Sequence, residues 1–276
     1  MAARTKVQEI PTTSWLLSYL GREIRIRREN AGLTQTELGA RTFCSPKLVS
    51  AIESGTRVPQ PAFINLADAG LGADGALNRL WRAMTDGETV TPYEWYVFLE
   101  EQASKLCHFE PMMIPGLLQT EEYARAIFAL NQPPMGQDRI DAAVARRLAR
   151  QSLFTRDNPP NVWIILDEAA IRRWPGDRVI MERQIQHMLE IADLPNVTLL
   201  AIPFAHGLHC GLQGFMAILS FEDGDDCGYV EPISGGQIVY DPTIVATMHR
   251  SYDLLRAAAL PPEGSARLLR KALEDL

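Results

Sequence analysis

No apolar run in this chain approaches the ~18 residues that a membrane-spanning helix needs, and the opening stretch MAARTKVQEIPTTSW lacks the hydrophobic segment of a secretory signal. The four cysteines, Cys44, Cys107, Cys210 and Cys227, stand far apart and form no CxxC pair. That excludes a disulfide framework and a zinc ribbon, and leaves reduced thiols as the expectation. G-x-S-x-G and the P-loop are missing, so neither a nucleophile elbow nor a P-loop phosphate cradle is encoded. The sole Gly-Gly, at Gly235 and Gly236, suits a hairpin turn in ISGGQIVY. These absences predict a cytoplasmic protein that is not an enzyme, takes no cofactor and has no membrane association.

What is present is ordinary globular composition, 46% hydrophobic and 22% charged over 276 residues, enough for two domains. Charge divides unevenly. Residues 1 to 82 hold 11 Lys and Arg against 7 Asp and Glu, a net of +4, and the remainder carries 16 against 27, a net of -11. A basic head on an acidic body suggests that the head meets a polyanion and the body serves another purpose.

The head reads as five short helices. In SWLLSYLGREIRIRRENAG, Leu16, Leu17, Leu20, Ile24 and Arg28 recur at helical spacing, and Gly32 closes the run. Thr34 with Glu37 forms a T-x-x-E capping box that opens a second helix ending near Arg41. Ser45 caps a third, Pro46 takes the first helical position, Val49 and Ile52 supply an apolar pair, and Gly55 stops it. PAFINLADAGL and DGALNRLWRAM supply the fourth and fifth. Leu33, Leu38, Val49 and Ile52 would pin helices two and three together at a steep angle. Ser45, Pro46, Lys47, Ser50 and Ala51 would then project outward, small or flexible enough to enter a major groove about 12 Å wide.

With L-T-Q-x-E-L at 33 to 38 and V-S-x-I-E-x-G-x-R-x-P at 49 to 59, the head resembles the helix-turn-helix domains of the phage-repressor (XRE, Cro/C1) type over residues 18 to 82. The resemblance implies double-stranded DNA as partner, with Gln35 and Arg57 as phosphate contacts and Lys47 and Ser50 as readers of base edges. It also implies a homodimer across half-sites one turn apart, and a structural ion pair between Arg28 and Glu53. One position departs from the family. The turn between helices two and three ordinarily holds glycine, able to take positive φ, and here holds Phe43. Either the turn is strained or it is rearranged.

TDGETVTP breaks the helical pattern, so residues 1–84 are expected to be the DNA-binding domain, 85–92 a linker and 93–276 a second domain. There a helix is expected to run to about Leu106 and a loop to follow. Thr120 caps another helix, and DRIDAAVARRLARQSLF forms a further one. VWIILD, NVTLLAIPF, GFMAILSFE and YVEPISG, short and rich in β-branched and aromatic residues, read as strands. EAAIRRWPGDRVIMERQIQHMLEIADLP is mostly helical and the end of the chain supplies one or two terminal helices. The expected class is α+β overall: an all-α five-helix head and a mixed α/β body with a small sheet flanked by helices.

FEPMMIPGLLQTEEYARA at 109 to 126, followed by VTLLAIPF, YVE and RAAAL, resembles the C-terminal domain of the WhiJ-like regulators. That resemblance implies an antitoxin-like transcriptional regulator, as in a toxin-antitoxin pair, working with a small partner protein encoded nearby. The body's own charge of -11 offers a docking surface to a basic partner. The alternative is a body that senses a small-molecule ligand between sheet and helices. His206, His209 and Cys210 in HGLHC, with Asp225 and Cys227, include zinc-ligand types, yet without a helix or a paired-Cys motif they are read as an ordinary turn. Glu100 with Glu101 and Glu121 with Glu122 are read as solvated faces or first-turn dipole partners, since adjacent helical residues point apart. Trp81, Trp95, Trp163 and Trp174 are read as core.

Overall fold

A computed structural model describes residues 14–85, 91–131, 134–222, 225–232 and 235–276; the N-terminal extension and the linker residues 86–90 lie outside it. The chain divides into two compact units, Met1–Thr91 and Pro92–Leu276.

The first unit holds α1 (Ser14–Asn30), α2 (Gln35–Thr42), α3 (Pro46–Glu53), α4 (Pro61–Gly70) and α5 (Ala76–Thr85). Local chemistry sets the boundaries. At α2 the Thr34 Oγ1 accepts from the Glu37 N–H at 3.2 Å and the Glu37 carboxylate accepts from the Thr34 N–H at 2.7 Å, satisfying two orphan donors at once. At α3 the Ser45 hydroxyl accepts from the Leu48 N–H at 3.2 Å, and Pro46 occupies the first turn, where no N–H is needed. Leu20, Ile24, Leu38, Val49, Ile52, Phe63, Ile64 and Leu77 are buried and form the shared core. Two glycines permit the close crossings: a Cβ on Gly21 would collide with the Ile52 carbonyl, and one on Gly39 would stand 2.5 Å from the Cys44 carbonyl.

The second unit contains α6 (Pro92–Gln102), β1 (Lys105–Glu110), α7 (Glu121–Ala129), α8 (Gln137–Ala149), β2 (Asn161–Asp167), α9 (Glu168–Arg172), α10 (Arg178–Ala192), β3 (Val197–Ile202), β4 (Met216–Ser220), β5 (Cys227–Val230), β6 (Gln237–Val239), α11 (Pro242–Ala258) and α12 (Pro262–Glu274). The strands form one six-stranded sheet in the order β3-β2-β1-β4-β5-β6. β1, β2 and β3 run parallel, linked by helical crossovers, and β4, β5 and β6 complete it as an antiparallel meander. The expected architecture is therefore present, a helical head and a sheet flanked by helices.

One element corrects the expectation. The helix does not run to Leu106; it stops at Gln102, and Lys105–Glu110 is β1, which pairs with both β2 and β4 near the middle of the sheet. β6 pairs antiparallel with β5 across the segment that holds Gly235 and Gly236, as a hairpin turn there requires. On one face of the sheet, Met248, Tyr252 and Leu255 of α11 pack against Cys107, Phe109, Ile165 and Ile218. Each such side chain contributes about 1.5–3 kcal/mol when fully buried. On the other face Tyr96 of α6 stacks on Tyr229 of β5 at 4.3 Å between ring centroids. β3 stands at the edge, where the Ala201 N–H donates to Ser265 Oγ and its carbonyl accepts from the Leu260 N–H, both at 2.9 Å. Among the described residues, no helix is long and apolar enough to cross a membrane.

Candidate nucleic-acid interface

Around α3 the first unit separates its charges into two kinds. Arg28 and Glu53 are tied inward: Arg28 Nε donates to Glu53 Oε1 at 2.6 Å and a terminal nitrogen donates to Oε2 at 3.0 Å, both side chains being less than a tenth exposed. A further Arg28 nitrogen donates to the Leu33 carbonyl at 2.6 Å, so one guanidinium fastens α1 to the end of α3 and to the loop before α2. The hydrogen bond to Glu53 raises the Arg28 pKa, against the opposing effect of burial. A bidentate fork is the geometry in which arginine outperforms lysine.

Lys47 and Arg57 are the other kind. Both are exposed, and among the described residues neither makes an ion pair. Ser45, Pro46 and Ser50 are exposed with them, whereas Ala51 is half-buried and its carbonyl accepts from the hydroxyls of Ser54 and Thr56. Of the residues expected to project, Ala51 is the one the packing holds back. Ser45 spends its oxygen lone pair on the Leu48 N–H and keeps its O–H to donate. Gln35 is half-buried, and one of its amide N–H bonds goes to Glu53 Oε2 at 2.8 Å. The second remains for an outside acceptor such as a phosphate oxygen.

Phe43 resolves the choice left by the sequence. It is the C-cap of α2 with φ 55 and ψ 35, so the turn keeps the left-handed shape that glycine would ordinarily supply. The Phe43 and Cys44 N–H groups both donate to the Gly39 carbonyl, and Thr42 Oγ1 donates to the Leu38 carbonyl at 2.8 Å, which fixes the backbone there. Left-handed backbone at a bulky residue costs roughly 1–3 kcal/mol. The Phe43 ring is 87% exposed and recovers none of that by burial.

The second unit holds a buried polar cluster that sequence reasoning missed. Glu100, taken as part of a solvated face, is 1% exposed. Arg150 forks onto its two oxygens at 2.8 Å each, and the Tyr96 hydroxyl donates to it at 2.7 Å. Burial works to raise the Glu100 pKa, but the Arg150 guanidinium prevails and the carboxyl lies below its ordinary value. Because the Tyr96 proton is spent on Glu100, His108 Nε2, 2.7 Å from the same hydroxyl, must be the N–H donor. Its Nδ1 is buried without a partner, and burial pushes the imidazole down to about 4.

Two residues further along the same face of β1 stands Glu110, whose carboxyl has no hydrogen-bond partner among the described residues. Burial, reinforced by the charge of Glu231, pushes it up to about 8 against the opposing effect of Arg147, so it holds a proton at neutral pH. Glu231 accepts from the Tyr229 hydroxyl at 3.3 Å, and Arg147 donates to Gln119 at 2.7 Å and lies 4.2 Å over the Phe128 ring. The only advance signal was the odd concentration of Tyr, His and Glu in YEWYVFLEE and LCHFE.

The zinc-ligand residue types that were read as an ordinary turn have separate surroundings. His209 Nε2 lies 2.9 Å from Asp167 Oδ2, Cys227 is buried in β5, and among the described residues no group of three or more His, Cys, Asp or Glu is disposed to hold a metal. Of the tryptophans, Trp95 is buried and Trp174 is 45% exposed, contrary to its reading as core.

Comparison with known proteins gives two matches. A helix-turn-helix domain matches residues 19–81, and a domain of unknown function, DUF5753, matches residues 93–271. No curated protein and no solved structure matches the chain.

Proposed function

The chain belongs to the DUF5753 family, and we propose that, with its helix-turn-helix domain, it is a sequence-specific transcriptional repressor that binds double-stranded DNA as a homodimer. The observation that carries this reading is the sorting of charge around α3. Arg28 and Glu53 neutralise each other inside, while Lys47 and Arg57 stay free on the surface that carries Ser45, Pro46 and Ser50. Lys47 and Ser50 read base edges; Gln35 and Arg57 fix register on phosphates. Dimerisation supplies the second half-site, since one helix in one groove offers few base contacts. The second unit mediates dimerisation and docks a small basic partner protein on its acidic surface, in an antitoxin-like role, and has no catalytic activity of its own. The test is a gel shift with the full chain on the DNA upstream of its own gene against a scrambled fragment at two salt concentrations. Discrimination that survives the higher salt supports the reading; equal binding to both fragments, lost on adding salt, overturns it.

A second reading, in which the second unit senses a small molecule, is favoured by one observation, the unpartnered Glu110 carboxyl on the aromatic face of the sheet. A thermal-shift screen of the full chain with small organic amines tests it. A stabilisation lost in Glu110→Gln supports sensing, and no shift with any amine removes it.

A further inference from the structure

The turn between α2 and α3 keeps a residue that local energetics disfavour twice. The position has φ 55, where glycine is free of strain, and its side chain is 87% exposed, where a polar group would be better solvated. Among the described large apolar residues only Leu208, at 89%, is more exposed. The backbone leaves no slack through which Phe43 could escape its conformation. The Cys44 carbonyl lies so close to Gly39 that a Cβ there would stand 2.5 Å from it, and the Phe43 and Cys44 N–H groups share the Gly39 carbonyl. Thr42 on one side is buried, and Ser45, two residues on, is the N-cap of α3. The Phe43 backbone is therefore held at the mouth of the helix that Ser45 caps and that Pro46 and Lys47 open. An exposed aromatic on a strained, fixed backbone does nothing for the fold, and strain of this kind is kept where a site uses it.

We propose that Phe43 is a specificity residue of the DNA interface, its ring making apolar contact with thymine methyl groups at the edge of the major groove. The thymine C5-methyl is the one apolar group that base pairs present in that groove, and phenylalanine is among the side chains suited to it. The fixed backbone holds the Cα of Phe43 in place before binding, so only side-chain rotamer freedom is lost on contact. This rests on the reading of the first unit as a DNA-binding module.

The experiment uses the full chain and a duplex selected by it from a random-sequence pool. Each thymine of that duplex is replaced in turn by deoxyuridine, which removes only the methyl. The wild-type chain should lose about three- to fivefold in affinity at one or two thymines, the worth of one buried methyl group. Phe43→Gly and Phe43→Asn, both suited to positive φ, should bind the parent duplex more weakly and be indifferent to the same replacement. Phe43→Gly should also melt several degrees higher, since it relieves the strain. Variants that retain the wild-type loss at each deoxyuridine position overturn the proposal, as does a wild-type chain indifferent to every replacement. If the wild-type chain selects no sequence from the pool, the DNA-binding reading itself fails, an outcome distinct from either of these.

Discussion

Replacing Arg28 by methionine should cost the helical head about 3 to 5 kcal/mol, the usual penalty for removing one partner of a buried ion pair. The Glu53 carboxylate, 2% exposed, accepts three hydrogen bonds, two from Arg28 and one from Gln35. Without Arg28 it retains only the Gln35 donor, and the Leu33 carbonyl also loses its partner. The converse change is milder. Glu53→Gln keeps the shape of the side chain, and Arg28 still reaches Leu33 and, at 3.2 Å, the half-exposed Glu29, so its loss should be about 1 to 3 kcal/mol. The double variant Arg28→Met with Glu53→Leu removes both charges and should return to within roughly 2 kcal/mol of wild type, because apolar side chains replace buried pairs at little net cost. Amide hydrogen exchange at Leu38, Val49 and Ile52 in the full chain reads the stability of this unit without requiring it to fold alone. A double variant no better than Arg28→Met, or Glu53→Gln worse than Arg28→Met, would refute the argument that an orphaned carboxylate dominates.

Three other outcomes follow from the geometry. Lys47→Ala should reduce discrimination between sequences, whereas Arg57→Ala should weaken all sequences alike and lower the salt slope by about 1; titrations of two duplexes at several salt concentrations separate them, and identical effects would merge the two roles. The stability of the second unit should pass through a maximum with pH. His108, held at about 4 against an ordinary 6.5, contributes stability that is complete above 6.5 and lost as pH falls to about 4, roughly 3 kcal/mol in all. Glu110, raised from 4.5 to about 8, has the opposite sign, with stability present below 4.5 and lost as pH rises through 8. Unfolding midpoints should therefore decline from pH 6.5 to 8, and Glu110→Gln should abolish that decline; a decline that persists in the variant removes Glu110 as its cause. Gly39→Ala should destabilise the head by more than 1 kcal/mol despite alanine's better helix propensity, because its Cβ meets the Cys44 carbonyl; a variant as stable as wild type would show that this turn can relax.

The head was legible because its signals are local. A capping hydroxyl, a carboxylate three residues on, a proline in the first turn and a stopping glycine each act within one helical turn, and Thr34, Glu37, Ser45, Pro46 and Gly55 all stand where those rules place them. β1 was illegible for the opposite reason. Cys107 and Phe109 face the α11 core, Leu106 and His108 are buried on the other face, and a strand buried on both sides shows no polar alternation. Its one strongly polar interior residue, His108, is accommodated by a hydroxyl twelve residues away, a contact with no periodic trace in the sequence. With that strand mistaken for the end of a helix, the polar cluster on its face was out of reach too. Glu100 looked solvated because its partner, Arg150, lies fifty residues on.

The same contrast separates the functional residues. Those proposed for the head were named from the motif because a helix that enters a groove must offer small or polar side chains at its start, a demand that can be read position by position. Glu110 is different, since nothing in FEP or HFE marks that carboxyl as one that keeps its proton at neutral pH. That property comes from burial at the end of β1, from the like charge of Glu231 beyond β5 and from the weak opposition of Arg147 on α8. A side chain perturbed by three distant segments is where the second unit concentrates unspent electrostatic free energy. Its counterpart in the head is Phe43, where the unspent quantity is backbone strain. Each unit thus carries a group whose cost to the fold is not recovered locally. These two are the positions where a replacement, Phe43→Gly or Glu110→Gln, should raise stability at pH 7 while diminishing whatever the residue does; a replacement that lowers stability at either site would place that residue with the fold.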